Sequence, residues 1–346
     1  MCRAQNPAHL LCDERKMLFY ITRRFVYMFI ILAVMSVTAF VIIQLPPGDY
    51  LTTYIRQLEV SGQRIDEAQI RSLKRQFGLD LPVHLRYFRW IWRALHGDFG
   101  RSLQWGKPVS ELIGERLLLT VVVNLFTLLF IYAVAIPIGI YSATHQYSIS
   151  DYGFTVFGFA GLAIPNFLFA LILVVFSYKY FGFSVTGLFS LEYGMAPWSI
   201  GKFIDMLKHL PIPIIVIGTA GTAGLIRVMW GCLLDELRKQ YVITARTKGV
   251  AKRTLLFKYP VRVAVNPVIS TIGWLLPATV SGGTITAIVL NLPTIGPLLY
   301  SALMVEDMYL AGTMVMFLSF LTIIGTFISD LLLIWIDPRI RYEKKG

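Results

Sequence analysis

The sequence predicts an all-α polytopic membrane protein with six transmembrane helices, and three observations lead to this class. The 346-residue chain is 56% hydrophobic and has a mean hydropathy of +0.64. Only 15% of its residues are charged, against roughly 25% in a soluble domain. The uncharged residues gather in runs that can cross a bilayer core of about 30 Å, for which a helix needs about 20 residues.

Six apolar runs follow one another along the chain. They are residues 25–45, 117–142, 152–178, 210–226, 263–290 and 308–335. Pro165 lies inside the third run, and Pro211 and Pro213 are expected to break the fourth. The fourth run also carries a stripe of small residues, which lets another helix approach closely. The stripe consists of Gly218, Gly221 and Gly224.

Polar segments divide these runs into a predicted topology. They are residues 1–24 (a cytoplasmic tail), 46–116 (an external segment), 231–262 (a cytoplasmic loop) and 337–346 (a second cytoplasmic tail), around a six-span domain at 25–336. Six spans place both termini on one side, and both tails and the loop between spans four and five are basic. Lys and Arg accumulate on the cytoplasmic side of membrane proteins, so we predict cytoplasmic termini.

The external segment contains a second pattern, between residues 71 and 100. Aromatic and aliphatic residues alternate there with Arg and Lys at helical spacing, for example Leu85, Phe88 and Trp92. This spacing favours an amphipathic helix on the membrane surface. An ordinary globular segment is an equally good interpretation of the sequence.

Several function classes fit the composition poorly. The net charge of +12 lies beside apolar spans and does not indicate nucleic-acid binding. The three cysteines have no paired spacing, so no disulfide framework or metal site is expected. An enzyme would need catalytic pairs, for which Glu111 with Glu115 is a weak candidate. An ion-coupled carrier usually has ionisable groups at mid-membrane. Arg227 and Asp330 lie near the predicted cytoplasmic ends of spans four and six instead. We therefore expect Arg227 to be an interfacial anchor and Asp330 to pair with a basic residue at the cytoplasmic edge.

The loop between spans four and five has the most informative pattern. Leu234, Leu237, Tyr241 and Ala245 recur at helical spacing and predict one apolar stripe. Gly249 is expected to end this helix, because glycine tolerates positive φ. Residues 251–258 predict a second short helix before Pro260. The resulting helix–turn–helix favours docking to a soluble partner, and the alternative is a basic loop that only fixes orientation.

Six short motifs in the same order resemble the permease subunits of ABC importers, closest to the oligopeptide/dipeptide group and its microcin C/peptide subgroup. The cytoplasmic motif is Tyr241-Val-Ile-Thr-Ala-Arg-Thr-Lys-Gly249, followed by Pro267. The others are Met17–Arg24, Leu45–Asp49, Phe77–Pro82 with Gly97–Ser102, Ala163–Phe167 and Asp337–Ile340. One departure is that Ile243, Thr244 and Ala245 occupy the places where the general ABC loop begins with Glu-Ala-Ala.

The resemblance implies a transport subunit that is not itself an enzyme, in the cytoplasmic (inner) membrane of a prokaryote. Its implied partners are a second homologous permease, two cytoplasmic ATPases that bind ATP and Mg, an external solute-binding protein and membrane lipid. The chain lacks a G-x-x-x-x-G-K-[ST] phosphate loop, and no cofactor is expected on it. The implied ATPase-coupling residues are Tyr241, Thr244, Ala245, Arg246, Lys248, Gly249, Lys252 and Arg253.

The cargo is the least determined part of the prediction. The resemblance implies oligopeptides or dipeptides, while related systems carry oligosaccharides, opines or nickel chelates. Mildly polar residues of the fifth span either line the path or pack helices. The candidate path residues are Ser270, Thr279, Ser281 and Thr284.

Overall fold

The computed structural model describes residues 7–44, 71–72, 81–102, 104–182 and 185–336. Within these ranges the chain forms helices and no strand. The helices are α1 (Pro7–Gln44), α2 (Val83–Leu95), α3 (Val109–Thr144), α4 (Ile149–Ala163), α5 (Asn166–Phe181), α6 (Ile200–His209), α7 (Pro211–Leu237), α8 (Gln240–Thr247), α9 (Lys252–Lys258), α10 (Pro260–Ser270), α11 (Ile272–Val289), α12 (Ile295–Met304) and α13 (Met308–Ile336). The predicted tail 337–346 lies outside the described residues.

The all-α polytopic class is confirmed, since four single helices are long and apolar enough to cross a membrane. Their qualifying segments are Thr22–Val41, Val109–Thr144, Pro211–Leu237 and Met308–Leu333. The pair α4–α5 would make a fifth span. The predicted fifth span, 263–290, is divided between α10 and α11 at Thr271. The count of six spans and the cytoplasmic side of the termini therefore stay predictions.

The predicted third span is not one straight helix. Helices α4 and α5 meet at an angle of 99° across Ile164 and Pro165. Pro165 has no amide hydrogen to donate, and its ring disfavours helical geometry in the residue before it. Ile164 is accordingly extended, with φ −89° and ψ 119°. The break is therefore encoded locally by this one proline.

The predicted fourth span is longer than expected. Pro211 and Pro213 do not break it, because they stand at the start of α7, where a missing amide hydrogen costs nothing. The helix then continues past Ile226 to Leu237, so the first acidic residues of the basic loop belong to α7. Its 27 residues make it about 40 Å long.

Helices α3 and α7 form the most extensive helix pair in the described chain. Two glycines of the predicted stripe face α3: a methyl group on Gly218 would lie 2.9 Å from Phe130, and one on Gly221 would lie 2.8 Å from Ile131. Gly224 has no such neighbour. The closest approach comes from α3, where a methyl group on Gly139 would lie 2.7 Å from the Cβ of Met229.

Two polar contacts fix opposite ends of the bundle. Ser102 Oγ donates a hydrogen bond of 2.5 Å to Asp307 Oδ2, and Asp307 is fully buried at the start of α13. At the other end, Arg24 of α1 and Asp330 of α13 form an ion pair of 2.9 Å. The predicted pairing of Asp330 with a basic residue is thus confirmed.

Candidate functional site

A small helix–turn–helix, residues 238–259, projects from the end of the bundle where α7 finishes and α10 begins. We refer to it as the projection. Lys239 is extended, with ψ 146°, and separates α7 from α8. Gly249 has φ +75° and separates α8 from α9. The predicted order of helix, glycine turn and helix is confirmed.

The Gly249 turn closes α8 with two hydrogen bonds. The amide of Gly249 donates to the carbonyl of Arg246 (3.1 Å), and that of Val250 donates to the carbonyl of Ala245 (3.4 Å). A left-handed glycine followed by this wider bond is a common helix C-terminal motif. Val250 also packs into the same apolar cluster as Ala245. The turn is therefore a defined structure with little freedom to change shape.

The projection has an apolar core of its own. Val242 and Ala245 of α8 pack against Leu255 of α9, and all three are buried. The predicted stripe through Leu234, Leu237, Tyr241 and Ala245 is wrong at Tyr241, which is 40% exposed. The extended Lys239 shifts the helical register, so Val242 takes the inner position that Tyr241 was expected to fill.

The Tyr241 side chain instead reaches back across the link between α7 and α8. Its hydroxyl donates a hydrogen bond to Glu236 Oε2 in the last turn of α7. Burial, together with the hydrogen bond and the negative charge of Glu236, raises the pKa of Tyr241 above its ordinary value. The phenol therefore stays protonated and able to donate at neutral pH. The bond fixes the angle between the two helices.

Most of the predicted coupling residues lie on the outer surface of the projection. The exposed ones are Tyr241, Thr244, Arg246, Lys248, Gly249, Lys252 and Arg253. Ala245 is the exception, because it belongs to the small core. None of the four cations Arg246, Lys248, Lys252 and Arg253 forms an ion pair with a residue in the described part of the chain.

Two apolar residues on the same surface were not predicted. Ile243 is 44% exposed and Phe257 is 53% exposed, one on each short helix of the projection. A large apolar side chain held in water beside unpaired cations is typical of a protein interface. Ile243 could be predicted only from the change of helical register at Lys239. That change cannot be read from the sequence until the end of α7 is known.

A second candidate site is a cleft near the opposite end of α7. The cleft is about half open to solvent, and its cavity volume is about 20 Å³. Polar lining residues come from α3, α11 and the start of α12: Thr120, Asn124, Thr279, Thr284 and Thr294. The hydroxyl of Thr120 accepts a hydrogen bond of 2.9 Å from the amide of Ile295, which fixes α12 against α3.

The predicted path residues separate in the structure. Thr279 and Thr284 both line the cleft. Ser270 is exposed at the end of α10 and does not line it; its hydroxyl donates to the carbonyl of Pro267 (2.6 Å). The side chain of Ser281 lies outside the described residues.

The fold and these two sites define a class: a multi-pass, all-helical membrane component that presents a cationic projection at one end and a mildly polar cleft towards the other. Residues 135–342 match the model of the family described as the binding-protein-dependent transport system inner membrane component. Residues 17–124 match the model of the N-terminal part of such membrane components. The chain belongs to this family and is a multi-pass inner membrane protein.

Curated relatives cover most of the chain. It is 34% identical over 324 residues to the oligopeptide transport system permease protein AppB of Bacillus subtilis, covering 93% of this chain and 99% of AppB. It is 35% identical to the inner membrane ABC transporter permease protein YejB of Escherichia coli O157:H7, covering 82% and 78% of the two chains. It is 27% identical to the dipeptide transport system permease protein DppB of Escherichia coli K12, covering 89% and 94%.

Proposed function

We propose that this chain is the transmembrane permease subunit of an ATP-driven importer of oligopeptides or dipeptides. The family match and the names of the relatives AppB and DppB support this assignment. The chain would form half of the translocation pathway and would couple to cytoplasmic ATPases through the loop 231–262. Oligosaccharides, opines or nickel chelates are the alternative cargoes for the same machinery.

The observation that carries the coupling proposal is the surface of the projection. Arg246, Lys248 and Arg253 are exposed cations without ion partners in the described chain, and Ile243 and Phe257 are exposed beside them. An ATPase with an acidic, partly apolar groove would satisfy both kinds of side chain. Closure of two such ATPases, which bind ATP and Mg, would then bias the bundle between its inward-open and outward-open states.

The other end of the bundle suits an external solute-binding protein. Leu191 and Met195 stand fully exposed on the loop between α5 and α6, each with a relative exposure of 102%. The loop is held rigid, because the amide of Ser190 donates a 2.7 Å hydrogen bond to Asp205. Buried Lys202 donates to the carbonyl of Ala196 at 2.8 Å. A loop whose backbone is held in this way favours binding, since less backbone conformational entropy is lost than from a free loop.

Asp205 keeps this loop attached at neutral pH. Burial raises its pKa, but hydrogen bonds from Ser190 and the positive charges of His209 and Lys208 outweigh burial and lower it below the ordinary value. The contribution of Asp205 to stability is therefore present above the carboxyl pKa of the unfolded chain. It is lost as pH falls through the lower pKa of the folded protein.

The translocation path would involve Thr279 and Thr284, with a second homologous permease completing its wall. Both residues lie on α11, which packs against α3, α5 and α7 and so occupies the middle of the bundle. Hydroxyl groups at this position would offer hydrogen bonds to a peptide backbone without selecting its side chains. The selection of cargo is left to the external binding protein.

The test is reconstitution into liposomes with a radiolabelled tripeptide. We expect uptake only when the second permease, the ATPases, the binding protein and ATP are all present. In the complete system, Arg246→Glu is expected to lower uptake and substrate-stimulated ATP hydrolysis at least about tenfold, because it places an anion against the acidic groove. Arg101→Glu, an exposed arginine of the external segment, serves as the matched control.

Two outcomes would contradict the proposal in different ways. Uptake by this chain alone, driven by a proton or sodium gradient, would identify an ion-coupled carrier. Full coupling in Arg246→Glu, with unchanged co-purification of the ATPases, would mean that the projection does not dock there. Transport of an oligosaccharide or a nickel chelate in place of the tripeptide would support the proposed ATP-driven importer but contradict the proposal that its cargo is a peptide.

Replacing Tyr241 with phenylalanine is expected to weaken coupling moderately. The variant loses the hydrogen bond to Glu236, which is worth about 1 kcal/mol after allowance for its exposure, or about fivefold in the population of the aligned projection. Substrate-stimulated ATP hydrolysis should fall by about that factor while basal hydrolysis is unchanged. Tyr147→Phe is the control, because Tyr147 is 79% exposed and lies outside the projection.

A further inference from the structure

Helix α2, in the external segment, has an apolar face that no described residue covers. Leu85, Phe88, Trp92 and Leu95 recur at helical spacing along it, with exposed fractions of 46%, 64%, 67% and 78%. Trp90, on the opposite face, is 6% exposed. A 13-residue helix with four large uncovered apolar side chains on one side requires an apolar environment there.

The inner face of α2 packs against α1. The Tyr87 hydroxyl and Ser36 Oγ are hydrogen-bonded at 2.8 Å, and the rings of Phe40 and Trp90 are stacked with centroids 6.0 Å apart. Ser36 lies eight residues before the end of α1 at Gln44, or about 12 Å along the helix. The tyrosine of α2 therefore reaches a level inside the apolar part of the span.

Measured from Val41, where the membrane-capable segment of α1 ends, Ser36 lies about 8 Å deep, a depth typical of helices that lie in a membrane interface. Such helices bury their apolar face about 5–10 Å into the boundary between headgroups and acyl chains. The outer surface of α1 beside α2 is also apolar and exposed, for example at Val34, Val37 and Val41. The exposed apolar face of α2 thus continues the exposed apolar surface of a helix that is long and apolar enough to cross a membrane.

The adjoining face of α2 is cationic. Arg86, Arg89 and Arg93 occupy positions i, i+3 and i+7. Arg93 is paired with Asp98 at 3.3 Å, while Arg86 Nε is buried without a hydrogen-bond partner in the described chain. Arg89, by contrast, is exposed and forms no ion pair in the described part of the chain, so its guanidinium group suits a lipid phosphate, which it can bind through two parallel hydrogen bonds.

We propose that α2 lies in the outer leaflet of the membrane, with Phe88 and Trp92 among the acyl chains and Arg89 bound to a phospholipid headgroup. The helix thereby holds the external segment on the bilayer surface beside α1 and α13. The competing occupant is the external binding protein, which would cover the same face from the aqueous side. The depth of Ser36 and the continuity with α1 favour lipid.

The test uses the purified full chain in lipid nanodiscs and compares two tryptophans of the same helix. The discs contain phosphatidylcholine with or without bromine atoms on the acyl chains near the headgroup, which quench tryptophan fluorescence on contact. The chain has seven tryptophans, so the quenched component is compared between the wild type, Trp92→Phe and Trp90→Phe. Trp92→Phe is expected to lose a quenched component that the wild type and Trp90→Phe both retain.

A second measurement addresses the headgroups. In discs of unbrominated phosphatidylcholine that contain a small fraction of brominated lipid, brominated phosphatidylglycerol should quench Trp92 of the wild type more than the same fraction of brominated phosphatidylcholine, because the cationic face enriches anionic lipid around α2. Arg89→Gln should lose that increase, while Arg101→Gln, at another exposed arginine of the external segment, retains it. Equal quenching in Trp92→Phe and the wild type would overturn the proposal. Shielding of Trp92 only after the binding protein is added would assign the surface to that protein instead.

Discussion

Replacing Gly249 with proline is expected to abolish the coupling of transport to ATP hydrolysis while leaving membrane insertion intact. Gly249 has φ +75°, whereas proline is fixed near −65° and cannot donate the hydrogen bond to Arg246. The turn must therefore rearrange, and α8 loses its packing against Leu255. Substrate-stimulated ATP hydrolysis in the reconstituted complex should fall more than about tenfold.

A graded series makes this result specific to backbone conformation. Apart from its two chain neighbours, no described atom lies within 4 Å of a methyl group placed on Gly249, so a side chain there has room and its effect reports on the backbone conformation. Gly249→Asn should retain most coupling, because asparagine adopts positive φ more readily than other residues. Gly231→Ala, in the interior of α7 with equally open space, is the control and should behave as the wild type. Normal coupling in Gly249→Pro would refute a role for the turn.

The second large effect is expected at Gly139, where α3 and α7 are closest. A side chain there would meet Met229 at 2.7 Å and the backbone carbonyl of Ile226 at 3.1 Å. The carbonyl cannot move without displacing α7, so Gly139→Leu should destabilise the chain by about 3 kcal/mol, the upper end for an overpacked site. We expect a marked loss of monodisperse protein after mild heating in detergent, measured by size-exclusion chromatography.

Gly114→Leu is the matched control for this substitution. Gly114 lies on the same helix, α3, and a methyl group added there would have no neighbour within 4 Å. The variant should therefore survive heating as well as the wild type does. Equal survival of Gly139→Leu and Gly114→Leu would show that the close contact between α3 and α7 does not form in the protein.

Features that depend on a single residue and its neighbours were the most predictable from the sequence. Gly249 predicted a helix end with positive φ, which is what the structure has. The apolar runs predicted the long helices α1, α3, α7 and α13, because their composition alone requires a membrane. The effect of each proline was harder to predict, because Pro165 breaks a helix whereas Pro211 begins one.

Features that depend on how helices are placed relative to one another were not predictable in this way. The end of α7 at Leu237 decides whether Tyr241 or Val242 faces inward, and nothing in the local pattern marks that end. Gly139 is one glycine in an apolar run, without the spacing that identified Gly218 and Gly221. Ser102 and Asp307 are 205 residues apart, and only the folded chain brings them together.

Helix α7 joins the two candidate sites without interruption. The projection begins where α7 ends, and Ile217, near its start, lines the cleft. Because it is a continuous rod of about 40 Å, a tilt of about 10° moves one end by about 7 Å relative to the other. By contrast, the bend at Pro165 would absorb such a tilt between α4 and α5. If a partner tilts the projection, α7 would therefore carry that tilt to the cleft as a displacement of several ångströms, about twice the length of a hydrogen bond.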